Sequence, residues 1–181
     1  ACMVAATGIA DGIRAISDTA KMFGQEGPCT LINGGKTTPV MAALANGALS
    51  HLLDYEDSHE KALVHPNAVS MPVMSALAEY SGKIDGKRFL TALVAASDIC
   101  CRLDLGAKED LLKYGWNMPP ICGGLGAIFG ACNMLRLSKE QIQDAIALGL
   151  SQITASGEAA NSRHSVIRSI RDGFAAQAAV L

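Results

Sequence analysis

Residues 122–135, CGGLGAIFGACNML, place glycines at 123, 124, 126 and 130 in an otherwise apolar helical stretch. Each glycine costs a helix interior up to about 1 kcal/mol relative to alanine. Several of them in one helix predict that neighbouring helices press against its backbone. The composition agrees: 50% of the 181 residues are apolar, only 4% are aromatic, and 18 are glycine. A chain rich in Val, Ile, Tyr and Thr would favour sheet. This one predicts small-residue helices packed on one another, a single all-α domain over 1–181. The same glycines, with Gly115-Trp116-Asn117 before them, look only superficially like a phosphate cradle. There is no G-x-x-x-x-G-K-[ST] motif and no preceding strand. A helix starting near Pro119 could still aim free N–H groups at a substrate carboxylate.

Charge and hydropathy narrow the function classes. Fifteen Lys and Arg face 17 Asp and Glu, a formal net charge of -2. With a pI near 6.1 and a mean hydropathy of +0.25, the chain suits neither a disordered segment nor a nucleic-acid binder. No apolar run reaches the roughly 18–20 residues that span a bilayer, and no secretory pattern opens the chain. Both ends fall inside apolar stretches, so a piece of a longer polypeptide is expected. Cysteines 2, 29, 100, 101, 122 and 132 form no C-x-x-C pair. They read as small buried hydrophobes with free thiols in a reducing compartment, the cytoplasm or a mitochondrial matrix.

Local signals place the helices. Ile9, Ile13, Ile16, Ala20 and Phe23 mark one helix face that Gly24 ends. Residues 28–37 predict an extended segment with a Gly-Gly turn. Thr38 and Pro39 start a helix that should reach about Leu53. After the polar loop 54–66, a helix should begin near Ser70–Pro72 and stop at Gly82. Asp85 caps the next, whose inward face is read as Leu90, Leu93, Val94, Ser97 and Cys101. Loop 113–120 leads to the glycine-rich helix. Ser138 to Gln141 is a capping box for a helix reaching about Ser156. Residues 158–172 form a polar stretch before a final Ala-rich helix.

The polar loop carries the chemistry. His51, Asp54, Glu56, Asp57, His59, Glu60, Lys61 and His65 fall within fifteen positions. A histidine beside a carboxylate is the usual proton-transfer pair near neutrality. A solvated loop with incidental charge, and a half-buried structural His51, are the alternatives. His51, Asp54, Asp57, His59 and His65 could also offer metal ligands, but no H-E-x-x-H or EF-hand spacing is present, and the reading taken is no metal. Arg163, His164, Arg168 and Arg171 read either as a carboxylate clamp or as a solvated helix start.

The segments Ala45-Asn46-Gly47-Ala48, His51, 53–59 (LDYEDSH) and His65-Pro66-Asn67-Ala68 resemble the signature of the MmgE/PrpD family. The likeness continues through Leu77-Ala78-Glu79, Gly115-Trp116-Asn117, 123–127, 147–150 and 168–176. It implies an all-α domain working with a separate α+β lid that this chain lacks. It implies cofactor-free lyase or isomerase chemistry, of the 2-methylcitrate dehydratase kind, on small di- or tricarboxylates, in a homodimer. Asp54, Ser58 and His65 match the catalytic positions; Asn117, Arg168, Arg171 and His59 are assigned to substrate. Three departures stand out. The gap before His65 is one residue longer than in the decarboxylase-like pattern. Asn117 replaces a second histidine, so it can hold substrate but not shuttle a proton. Arg168 and Arg171 replace the Lys and His of K-x-x-H-x-G, keeping positive charge that is never given up. A helical interaction module that has lost its chemistry is the competing expectation.

Overall fold

A computed structural model describes residues 1–7, 11–161 and 166–181. Ile9, Arg163 and His164 lie outside them. The chain runs α1 (Cys2–Ala6), α2 (Asp11–Gly24), a hairpin of β1 (Cys29–Thr30) and β2 (Lys36–Thr37), α3 (Pro39–His51), α4 (Pro66–Ser81) and α5 (Gly86–Gly106). A 3₁₀ turn (Leu111–Tyr114) leads to α6 (Met118–Leu135), α7 (Lys139–Gln152), α8 (Glu158–Asn161) and α9 (Ile167–Val180). The two-residue strands pair antiparallel around Gly34 and Gly35, both at positive φ. The fold is all-α.

The core lies where α3, α4, α6 and α9 meet, around Ala43, Val73, Met74, Ala127, Met134 and Ala176. Its side chains are short, so the backbones come close. On α9, a Cβ added to Gly173 would sit 2.4 Å from the Leu44 carbonyl oxygen; on α3, one added to Gly47 would sit 2.9 Å from Gly173 Cα. On α6, Gly126 and Gly130 face α5 in the same way, meeting the carbonyls of Ala96 and Ala92. The glycines therefore perform the packing role read from the sequence. Met118–Leu135 is also long and apolar enough to cross a bilayer, by length and composition alone. It is instead the mostly buried helix against which α4, α5 and α9 pack.

Several boundaries differ from the sequence reading, each for a physical reason. Helix α4 starts at Pro66, not near Ser70, because a proline at the first helical position loses no bond, and Pro72 lies inside it. Pro72 cannot donate to the Ala68 carbonyl; the Ser50 hydroxyl on α3 donates to it instead. Helix α7 stops at Gln152, not Ser156, because the next residues pair with the start of α6: Asn117 N–H donates to Ala155 O at 2.9 Å and Gly157 N–H to Gly115 O at 2.7 Å. Helix α9 begins at Ile167 and takes in much of the stretch read as polar connection. On α5, the inward residues are Ala92, Ala96 and Cys100, whereas Leu90 and Val94 are 60% and 68% exposed. Only small residues fit against the glycines of α6. Phe23, read as the end of a buried face, is 65% exposed, and the stripe runs through Ile13, Ser17 and Ala20.

All six cysteines are free thiols, and Cys29, Cys100, Cys122 and Cys132 are buried. Burial pushes Cys29 up to about 11 and Cys122 up to about 12, so these thiols stay protonated.

The α3–α9 contact makes a direct prediction. Gly173→Ala overpacks it and lowers the unfolding free energy by about 1–3 kcal/mol. Gly86→Ala, where an added Cβ meets nothing within 4 Å, should change it by less than about 0.5 kcal/mol. Urea denaturation of both variants checks this; equal effects would contradict the packing account.

Candidate functional site

The site forms where the C-terminal end of α3 meets the N-terminal half of α9. The α3–α9 approach seats His51, the last residue of α3, fully inside at 1% exposure. The chain then turns sharply. Asp54 N–H donates to His51 O at 3.1 Å, and Asp54 takes a φ of +55°, a left-handed conformation that aspartate tolerates better than most residues. This turn brings the Asp54 carboxylate back over the helix end. Its Oδ1 is 3.7 Å from His51 Nδ1 and 4.0 Å from His65 Nε2.

Glu56 lies deeper. Its Oε1 is hydrogen-bonded to His51 Nδ1 and lies 3.4 Å from His65 Nδ1. The two imidazole rings are 5.2 Å apart. His65 Nδ1 also lies 3.2 Å from the Asp57 carbonyl oxygen. From α9, Arg168 donates through Nη2 to Asp54 Oδ2 at 2.8 Å. Asp172, 2% exposed, places Oδ2 3.4 Å from His51 Nδ1 and 3.9 Å from Arg171 Nε.

Burial and charge oppose each other in this cluster. At Asp54, burial works against ionisation, but the hydrogen bond from Arg168 and the neighbouring imidazoles outweigh it and hold the carboxyl below its ordinary range. Glu56 behaves alike: burial pushes it up, and the His51 bond with other contacts brings it below the usual value. Burial wins at Asp172, whose carboxyl is pushed up despite His51 and Arg171. Burial also lowers Arg171, partly offset by Asp172, Asp54 and Glu56.

Arg171 links this cluster to a cavity of about 480 Å³, which it lines together with Asn117, Thr154, Ser156 and Gln177. Asn117 is the residue before α6, yet its side chain makes no cap bond. Its Nδ2 and the Arg171 Nε are both buried and have no hydrogen-bond acceptor among the described residues.

Asp54, His65, Arg168 and Arg171 are therefore brought together, and Asn117 shares the cavity with Arg171. Ser58 is exposed, and its hydroxyl has no hydrogen-bond partner among the described residues. His59 is used by the loop itself: its Nδ1 accepts the N–H groups of Lys61 and Ala62 at 3.1 and 3.0 Å. Two members had no role assigned from sequence: Glu56, counted only among the charges of the loop, and Asp172. Asp172 carried a readable signal, since it shares a helix face with Ala175 and Ala176 at i+3 and i+4.

His51, Asp54, Glu56 and His65 place one ligand atom each within 4.8 Å of one another, close enough to gather round one cation. Several of these atoms face one another as ion pairs, however, and the Arg168 guanidinium already supplies positive charge to Asp54. Asp57 is bound to Asn67 through both carboxylate oxygens. The set is an ion-paired His–carboxylate cluster that also meets the distance requirement of a cation site.

The MmgE/PrpD N-terminal domain family matches residues 1–181. The chain is 29% identical over 160 residues to the cis-aconitate decarboxylase-like protein oryM of Aspergillus oryzae, covering 84% of this chain and 33% of that protein. It is 34% identical over 122 residues to human cis-aconitate decarboxylase, and 31% identical over 122 residues to the mouse protein of the same name, covering 65% of this chain and 25% of the relative in each case. The chain thus spans a third or less of the length of these curated relatives.

The lowered Glu56 carboxyl fixes a sign for acid stability. Its contribution is complete above the ordinary 4.5 and is lost as pH falls through the lower folded value. Glu56→Gln should therefore lose less stability than the parent between about pH 7 and about pH 3. Urea midpoints across that range check it; an equally steep acid loss in the variant would contradict it.

Proposed function

The chain belongs to the MmgE/PrpD family, as its N-terminal domain, and from that premise we propose that it carries the proton-transfer half of a lyase acting on small di- or tricarboxylates. The carrying observation is the meeting of His65, Asp54 and Glu56 with the arginines of α9, beside a cavity that Arg171 and Asn117 help to line. A guanidinium and an amide in one lining suit a carboxylate, which offers only acceptors. The dehydratase or decarboxylase character rests on the relatives named cis-aconitate decarboxylase.

In this reading, His65 Nε2 takes the proton from the carbon next to a substrate carboxylate. The C–H electron pair moves toward that carboxylate, where the Arg171 guanidinium and the Asn117 amide face the developing charge. The pair then forms the new double bond as the leaving group departs. Asp54 faces the resulting imidazolium and stabilises it. Arg168 holds Asp54 ionised for that task. Ser58, exposed on the same loop, is assigned a hydrogen bond to bound substrate. Asn117 stands where the family pattern has a histidine, so His65 works alone as the proton carrier.

Two substitutions separate chemistry from binding. In the intact protein, His65→Ala should cut turnover on the accepted acid by roughly 10²–10⁴. Arg171→Gln should mainly raise KM, by about 10–100-fold, the value of one charge-assisted bond. Steady-state kinetics over a panel of di- and tricarboxylates checks both. Near-normal turnover in His65→Ala removes it from the mechanism. A protein that binds none of these acids would favour the helical interaction module, a reading to which Asn117 in place of histidine also points.

A further inference from the structure

The proton transfer proposed above uses one nitrogen of His65, and the structure surrounds the other with groups that this chemistry leaves unexplained. His65 Nδ1 lies 3.2 Å from the Asp57 carbonyl oxygen and 3.4 Å from Glu56 Oε1. A carbonyl oxygen can only accept, and so can an ionised carboxylate. Nδ1 must therefore carry the hydrogen of the neutral ring. The lone pair is left on Nε2, the nitrogen turned toward Asp54.

Glu56 is itself held in place. Its side chain is almost fully buried, with Oε1 hydrogen-bonded to His51 Nδ1, and the His51 side chain is completely enclosed at the end of α3. The carboxylate cannot swing away to solvent without breaking its hydrogen bond to His51. Its charge consequently faces His65 from a fixed position. His65 is faced by His51 from α3; by Asp54, Glu56 and the Asp57 carbonyl from its own loop; and from α9 by Asp172 and, through Asp54, by Arg168. Arg171 lies behind, beside Asp172. Among these, the carboxylate closest to Nδ1 is Glu56.

From this geometry we infer that Glu56 is a positioning residue, anchored by His51, that holds His65 in the Nδ1–H tautomer and so leaves its Nε2 lone pair free to take a proton. The inference rests on the proposed role of His65 in proton transfer, but the tautomer of the ring can be read without substrate. Which ring nitrogen carries the hydrogen is set by the acceptor that the ring's other side meets.

The test is nitrogen NMR of imidazole-labelled intact protein, with His65 assigned by its own substitution. The neutral ring of the parent should be the Nδ1–H tautomer. In Glu56→Gln, which removes the fixed charge beside Nδ1, a measurable share of the ring should pass to the Nε2–H tautomer. Where the protein turns over an acid, kcat should fall about tenfold with KM nearly unchanged. Glu56→Asp should restore part of both, which a purely structural role would not do. An Nε2–H tautomer in the parent, or an unchanged tautomer in folded Glu56→Gln, overturns the inference. Should Glu56→Gln fail to fold, the parent tautomer and that of Glu56→Asp decide. A changed tautomer in a protein without lyase activity sinks the proposed function and leaves this inference standing. An active protein with an unchanged tautomer does the reverse.

Discussion

Everything at the candidate site depends on two helices touching through glycine. Gly47 on α3 and Gly173 on α9 bring the backbones so close that a Cβ on either would clash. That approach sets the end of α3 against the first half of α9. It delivers His51 to Asp172 and places Arg168 over Asp54. With larger residues at the crossing, the helices would stand farther apart and the ion pairs would open. The small-residue composition is thus the condition for assembling a charged cluster from segments more than a hundred residues apart.

That cluster is not a device for stability. Burying charges costs several kcal/mol per ion, and apolar replacements are often neutral or stabilising. Here Glu56, Asp172 and Arg171 are nevertheless largely buried. Their pairing is incomplete, since Arg171 Nε and Asp172 Oδ2 have no hydrogen-bond partner among the described residues. Two of the departures from the family pattern fit the same picture. Arg168 keeps Asp54 ionised, and Asn117 supplies a donor where a histidine would supply a second proton carrier.

Much of this was legible in the sequence wherever the signal was local. The Thr38–Pro39 start, the Asp85 cap and the Ser138–Gln141 capping box each depend on residues within one turn, and each is found where it was expected. What escaped was decided by distant partners. Pro72 reads as a helix start until Ser50 is seen to take the carbonyl it leaves unpaired. Leu90 and Val94 read as core until the glycines of α6 reserve that face for alanine. At the site, the loop signature marked Asp54 and His65. It could not show that Glu56 lies between two imidazoles, or that Asp172 reaches His51 from the far end of the chain. Those facts follow from the helix crossing, which no local pattern encodes.

The central claim, which we propose, is that an acid held in the hollow beside Asn117 and Arg171 is felt at the adjoining His65 cluster. Titrating isotope-labelled protein with a tricarboxylate such as citrate, while following the side-chain signals of His65, Asn117 and Arg171, tests it most directly. The account predicts that all three move together along one saturable curve. Signals that stay still at millimolar acid, or shifts confined to some other face of the molecule, would contradict it.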